Sequence, residues 1–148
     1  MSNWFECKVN FDKIQENGAV KKVAEPYLVD AMTFTEAEAR IIEELRPFIS
    51  GDFNIAAVKR TRISEIFRDD TGDKWYLSKL AFTDIDPKSG KEKKTNSFIL
   101  VQAKNFSTAL ENLLEGMKGS AADFDIVSIN ETLLMDVFDV KLDGFKKE

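Results

Sequence analysis

The stretch WFECKVNF (Trp4–Phe11) returns 71 residues later as WYLSKLAF (Trp75–Phe82). Trp meets Trp, Phe5 meets Tyr76, Lys8 meets Lys79, Val9 meets Leu80 and Phe11 meets Phe82. In the first copy Phe5, Cys7, Val9 and Phe11 alternate with Trp4, Glu6, Lys8 and Asn10. A period of two is the mark of a half-buried strand, with the apolar set facing a core. Each strand runs into a polar turn, Asp12–Gly18 and Thr83–Gly90, the second one residue longer.

Beyond the turns the register holds at an offset of 72, pairing Lys21 and Lys22 with Lys93 and Lys94 and YLVDAMTF with ILVQAKNF. After the next segment DFNI (Asp52–Ile55) meets DFDI (Asp123–Ile126) at 71 again, Thr61 meets Thr132, and Glu65–Phe67 meets Asp136–Phe138. Agreement over several elements, with one-residue adjustments at the expected loops, reads as a tandem duplication. The alternative is chance likeness between two ordinary ββαβ segments.

Each repeat reads as strand, strand, helix, strand. Asn17-Gly18 suits a hairpin turn because both residues tolerate positive φ. The second strand runs from about Val20 to Ala31, with Pro26 at an edge, bulge or boundary. Its counterpart is Lys94–Ala103. Thr33 and Glu36 fit a capping box, and Phe34, Ala37, Ile41, Leu45 and Phe48 form an apolar stripe that Ala39 and Ile42 widen. Pro47 ends that helix near Arg46. Asn105 takes the cap position in the second repeat, ahead of Phe106, Ala109, Leu110, Leu113, Leu114 and Met117. The last strand of each repeat is long and breaks its alternation near Arg60–Arg62, where a bend or a β-bulge would explain the shift. The Asp69–Asp73 turn is expected to make a hairpin into the second repeat, and Leu133–Phe138 to pair with Asn3–Phe11. The fold class is therefore α+β, two ββαβ repeats at about 4–67 and 75–138 forming a single compact domain over 1–148, with helices on mostly antiparallel sheet.

The bulk numbers narrow the class. At 148 residues and 43% apolar, the chain can bury a core without staples. One cysteine excludes an internal disulfide. No stretch approaches the roughly 18 apolar residues of a membrane span, and the N-terminus lacks the pattern of a signal peptide. A cytoplasmic protein without membrane attachment is expected. The net charge of −5 disfavours a purely electrostatic nucleic-acid binder but leaves room for a local basic patch.

The blocks WFECKV (Trp4–Val9), EPYLVDAMTFTEAEARI (Glu25–Ile41), PFISGDF (Pro47–Phe53), KRTRISEIF (Lys59–Phe67), WYLSKLAF (Trp75–Phe82), EGMKG (Glu115–Gly119) and MDVF (Met135–Phe138) span nearly the whole chain. In them the chain resembles a family of small proteins, without an established function, from Bacteroides-type bacteria and their phage or mobile elements. That resemblance implies a domain of unknown function and raises DNA-related or host-interaction roles.

Chemistry is sparse. With no histidine, His-activated nucleophiles and His-containing metal sites are absent. Cys7 lies in an alternating strand and reads as a small buried residue. There is no phosphate-cradling glycine loop. Asp69, Asp70 and Asp73 could offer oxygens to Ca²⁺ or Mg²⁺ but lack the calcium-loop spacing, so a plain turn is the simpler reading. The basic segment Lys59, Arg60, Arg62, with Arg68 beyond it, has the non-basic Asn130–Leu133 as its counterpart in the second repeat, so charge is concentrated in one copy. Such a patch could contact phosphates or an acidic protein surface. Lys21, Lys22, Lys93 and Lys94 could add to it, or merely guard strand edges. Trp4 and Trp75 could stack on bases if exposed, or serve as packing anchors.

The expected function is a non-catalytic binding or protein-interaction module, its partner an unknown protein or nucleic acid, with no cofactor. The rivals are a nucleic-acid-binding accessory protein and a carboxylate- or metal-dependent enzyme. Oligomeric state stays open. An exposed apolar helix face or unpaired strand edge would favour a dimer, whereas fusion of the repeats would already cover the surface a lone unit uses to dimerise.

Overall fold

A computed structural model describes residues 3–139 of the chain. The elements in order are β1 (Asn3–Ile14), β2 (Val20–Ala31), α1 (Phe34–Leu45), β3 (Phe53–Arg60), β4 (Ile63–Phe67), β5 (Lys74–Ile85), β6 (Glu92–Ala103), α2 (Phe106–Gly116), β7 (Asp123–Glu131) and β8 (Val137–Phe138). They form two four-stranded mixed sheets, β3-β1-β2-β8 and β4-β6-β5-β7, each carrying one helix. The α+β duplication read from the sequence is what folds.

The long hairpins form as the alternation dictates. β1 and β2 pair antiparallel from Asn3↔Ala31 to Ile14↔Val20, and β5 and β6 from Lys74↔Ala103 to Ile85↔Glu92. In the first sheet Phe5, Cys7, Val9, Val29 and Ala31 lie buried beneath Ala37, Ile41 and Leu45 of α1. In the second, Leu80, Ile99 and Val101 meet Leu113 of α2. Burying each large aliphatic side chain is worth about 1.5–3 kcal/mol, so these stripes set which helix face turns inward. Thr33 Oγ1 accepts from the Glu36 N–H (3.1 Å), and Glu36 Oε2 accepts from the Met32 N–H (3.2 Å). Asn105 Oδ1 accepts from the Thr108 N–H (2.8 Å), so both predicted caps are made. Phe48, which the helical spacing put in the stripe, instead lies beyond the end of α1 and is 78% exposed. Pro47 follows the Arg46 cap and carries the chain off the helix before Phe48 can reach the core.

The last strand of each repeat departs from expectation. It is not one bent strand. β3 pairs with β1, whereas β4, three residues on, pairs parallel with β6 in the other sheet. The broken alternation near Arg60–Arg62 thus marks a change of sheet. The register also breaks just beyond it, between Ile63↔Phe98 and Glu65↔Ile99, and a further bulge lies earlier: the β1 register jumps from Lys8↔Ala57 to Val9↔Ile55, leaving Ala56 extra. The second sheet repeats it at Val127, between Lys79↔Ser128 and Leu80↔Ile126.

Two further pairings are corrected. Asp69–Asp73 does not close a hairpin, since β4 lies beside β6 and not beside β5. Leu133–Phe138 does not pair with β1, whose two edges β2 and β3 already occupy. Instead β8 lies parallel to β2, Leu28↔Val137 and Val29↔Phe138. The Leu28 N–H donates to Asp136 O (3.0 Å), and the Met135 N–H donates to Pro26 O (2.9 Å), which uses the carbonyl of a residue that has no donor. The chain accordingly divides into one unit with residues up to Thr61 and from Leu133 onward, and a second, Arg62–Thr132. Each repeat lends its final strand to the sheet of the other.

Candidate binding site

The basic segment is mostly engaged within its own units. The Arg60 guanidinium lies 5.5 Å from the Phe5 ring centroid and 5.6 Å from that of Phe34. Those rings meet edge to face at 5.0 Å. Arg62 lies 4.8 Å over Phe98, and Arg68 lies 5.8 Å over Trp75. Each such contact is worth about 0.5–1 kcal/mol at an exposed site. The guanidiniums therefore help hold an aromatic surface in place. Trp75 is 3% exposed, which corrects its candidacy as a stacking platform, and Trp4 is half-buried. Lys59 is exposed on β3. Lys21 and Lys22 stand at the β1–β2 hairpin end opposite Lys13 and Asp12, and Lys93 and Lys94 at the β5–β6 end opposite Asp84 and Thr83, all solvent-facing.

The acidic turn is a structural knot. Asp69 Oδ1 accepts from the Thr71 hydroxyl (2.6 Å) and the Thr71 N–H (3.1 Å), and its Oδ2 accepts from Asn112 Nδ2 (2.9 Å). The Thr71 hydroxyl first, then the Asn112 amide and the Thr71 N–H, hold the Asp69 carboxyl below the ordinary carboxylate range. Gln102 grips both ends of the turn, accepting from the Asp69 N–H (3.0 Å) and donating to Gly72 O (3.0 Å). Among the described residues no three or more of His, Cys, Asp and Glu are placed to hold a metal ion, and the Asp69 carboxylate is taken up by Thr71 and Asn112. Cys7 is buried, and burial first, then the charges of Glu38 and Glu6, push its thiol up to about 12. Both effects disfavour the thiolate at neutral pH.

The feature that sequence reasoning missed is the outer flank of the first unit. Among the described residues β3 ends its sheet and pairs on one side only, with β1. Beside it a cleft of about 550 Å³ runs between α1 and β3, with Glu38, Ile42, Arg46, Ile49, Phe53 and Ile55 in its wall. A second cleft of about 660 Å³, on the hairpin side, shares Asp52, Phe53 and Asn54 with the first and adds the polar Asn10, Asp12 and Lys22. Glu38, Ile42 and Arg46 lie at i, i+4 and i+8 and so stand in one row along α1. The available signal was an isoleucine at the margin of the apolar stripe, between an acid and a base one turn away on either side. Arg46 is exposed and pairs with Glu43 Oε1 at 3.8 Å.

Chemically, the open side of β3 offers backbone donors and acceptors in a row, and the cleft offers apolar seats between charges of opposite sign. Among the described residues no helix is long and apolar enough to cross a membrane. No curated protein matches the sequence of this chain. The family described as a domain of unknown function (DUF4494) matches residues 3–140, and the chain belongs to that family.

Proposed function

We propose that the chain is a non-catalytic protein-interaction module, which receives an extended segment of a protein partner along the open edge of β3. The observation that carries this reading is the coincidence of a β3 edge that takes no second strand among the described residues with the adjoining α1 cleft. Strand addition to such an edge draws affinity from main-chain hydrogen bonds and specificity from pockets for alternate side chains. Ile42, Ile49 and Ile55 are apolar seats, and Glu38 and Arg46 favour a segment that carries both signs of charge. The seating of Arg60, Arg62 and Arg68 over rings supports a protein partner over a nucleic acid, because these cations already have a packing role.

Selection of a displayed random-peptide library on the folded chain tests the proposal. Selected peptides are titrated by fluorescence anisotropy beside labelled single- and double-stranded DNA and RNA. Peptide binding that weakens on Arg46→Glu, with amide exchange slowed along Phe53–Arg60, is the expected result. Salt-sensitive nucleic-acid binding lost on Arg60→Ala with Arg62→Ala, and no selected peptide, would replace it with the nucleic-acid reading. Turnover abolished by removal of a single carboxylate would replace it with the enzyme reading.

A further inference from the structure

Resting on that reading, we infer that the strand received at the β3 edge is β3 of a second copy of this chain, in a two-fold dimer whose α1 helices run antiparallel. The charge pattern points to it. Glu38 and Arg46 are equidistant in sequence from Ile42, and all three line the same cleft. An isologous interface must be complementary to itself. With the two-fold axis beside Ile42, each Glu38 meets Arg46 of the second copy and the isoleucines face each other across the axis.

The strand obeys the same symmetry. The midpoint of β3 falls between Ala56 and Ala57, both small and exposed. Antiparallel self-pairing about that point sets Lys59 opposite Asn54 and Arg60 opposite Phe53, so no like charges oppose each other. The layers also fit. α1 packs across β1, β2 and β3, and β1 lies one strand in from the edge. At a strand spacing of about 4.8 Å, β1 stands roughly 7 Å from the axis, which puts the paired helices about 14 Å apart. That exceeds the 8–10 Å or so of tight helix packing. The gap suits long side chains bridging it, which is where Glu38 and Arg46 stand. The bulge at Ala56 divides the ladder into two short runs, so the association is expected in the micromolar range.

The second repeat supplies an internal comparison. β7 is also an edge strand with the matching bulge, but the residues matching Glu38, Ile42 and Arg46 are Leu110, Leu114 and Lys118. A row with a base and no acid is not self-complementary. The pairing is therefore assigned to the β3 edge.

Sedimentation velocity from micromolar to millimolar concentration tests the assignment. The wild-type chain is expected to show a reversible monomer–dimer equilibrium. Glu38→Arg and Arg46→Glu should each weaken it about tenfold or more. An equimolar mixture of the two variants should recover the dimer, because both cross-axis contacts become attractive again, and a misfolded variant could not restore it. A chain monomeric at every concentration, a dimer indifferent to either reversal, or a mixture that stays monomeric would each overturn the inference. Peptide binding by a monomeric chain would overturn the inference alone and leave the interaction reading standing.

Discussion

The hydroxyl and the amide of Thr61 both donate to the carbonyl oxygen of Trp4, at 2.8 and 2.9 Å. Thr132 makes the same double contact with Trp75 O, at 2.8 Å from each donor. Both threonines stand where the chain leaves one unit for the other. The clasp fixes the exit of the strand against the start of its neighbour, so that the next residues enter the other sheet.

Replacing Thr61 by Val keeps the shape and removes the hydroxyl donor. A loss of about 1 kcal/mol is expected, and the same for Thr132→Val. Because the sites lie in separate units, the double variant should lose close to the sum. Urea unfolding of the three variants checks this, and a null effect at either site would show that the amide alone holds the exit.

Asp69 should make stability fall in acid. Its folded carboxyl is held below the unfolded value of about 3.9, chiefly by the Thr71 hydroxyl. The contribution is complete above that value and is lost as pH falls through the lowered folded one. Asp69→Asn should flatten the acid limb. Trp75, buried in that unit, reports the transition once Trp4 is replaced by Phe.

Cys7 works at the other end of the scale. Its thiol is raised from 9.0 to about 12 by burial, then by Glu38 and Glu6. The stability it contributes is complete below 9.0 and is lost as pH rises towards 12. Tyr27 adds to the same limb, raised from 10.0 to about 12 by burial and Glu25. Iodoacetamide should label the native chain far more slowly than the urea-unfolded chain at mildly alkaline pH, and Cys7→Ala should reduce the alkaline loss. Fast native labelling would show that the sheet opens locally at β1.

Two glycines should respond differently to alanine. A Cβ on Gly72 would stand 2.3 Å from the backbone carbon of Ala103, whereas one on Gly18 meets nothing within 4 Å. Gly72→Ala must shift the turn or β6 and should cost about 3 kcal/mol. Gly18→Ala keeps only the strain of a left-handed φ of +83°, about 1 kcal/mol. Thermal unfolding ranks them, and equal losses would refute the crowding argument.

The parts of the fold legible in the sequence are those ruled by short-range periodicity. Phe5, Cys7, Val9 and Phe11 revealed a strand by alternation, and Thr33 and Asn105 revealed helix starts by their side-chain oxygens. Which sheet a short strand joins is a long-range choice, and Ile63–Phe67 carries the same local pattern in either. Its partner is β6, more than 30 residues on, and no local window contains that fact. The site was hidden for a related reason. Arg60 and Arg62 stood out as charges, but their seats over Phe34 and Phe98 depend on side chains more than 20 residues away. The row Glu38, Ile42, Arg46 gains meaning only from the edge beside it.

The exchange of final strands also inverts the order in which the molecule can be finished during synthesis. The second unit is one uninterrupted segment, so it is complete once Thr132 has left the ribosome. The first unit, although made earlier, must wait for β8 to cover the free side of β2. The nascent chain therefore carries an unfinished sheet through the translation of about seventy residues, the interval in which a neighbouring nascent copy could supply the missing strand and produce an intertwined pair.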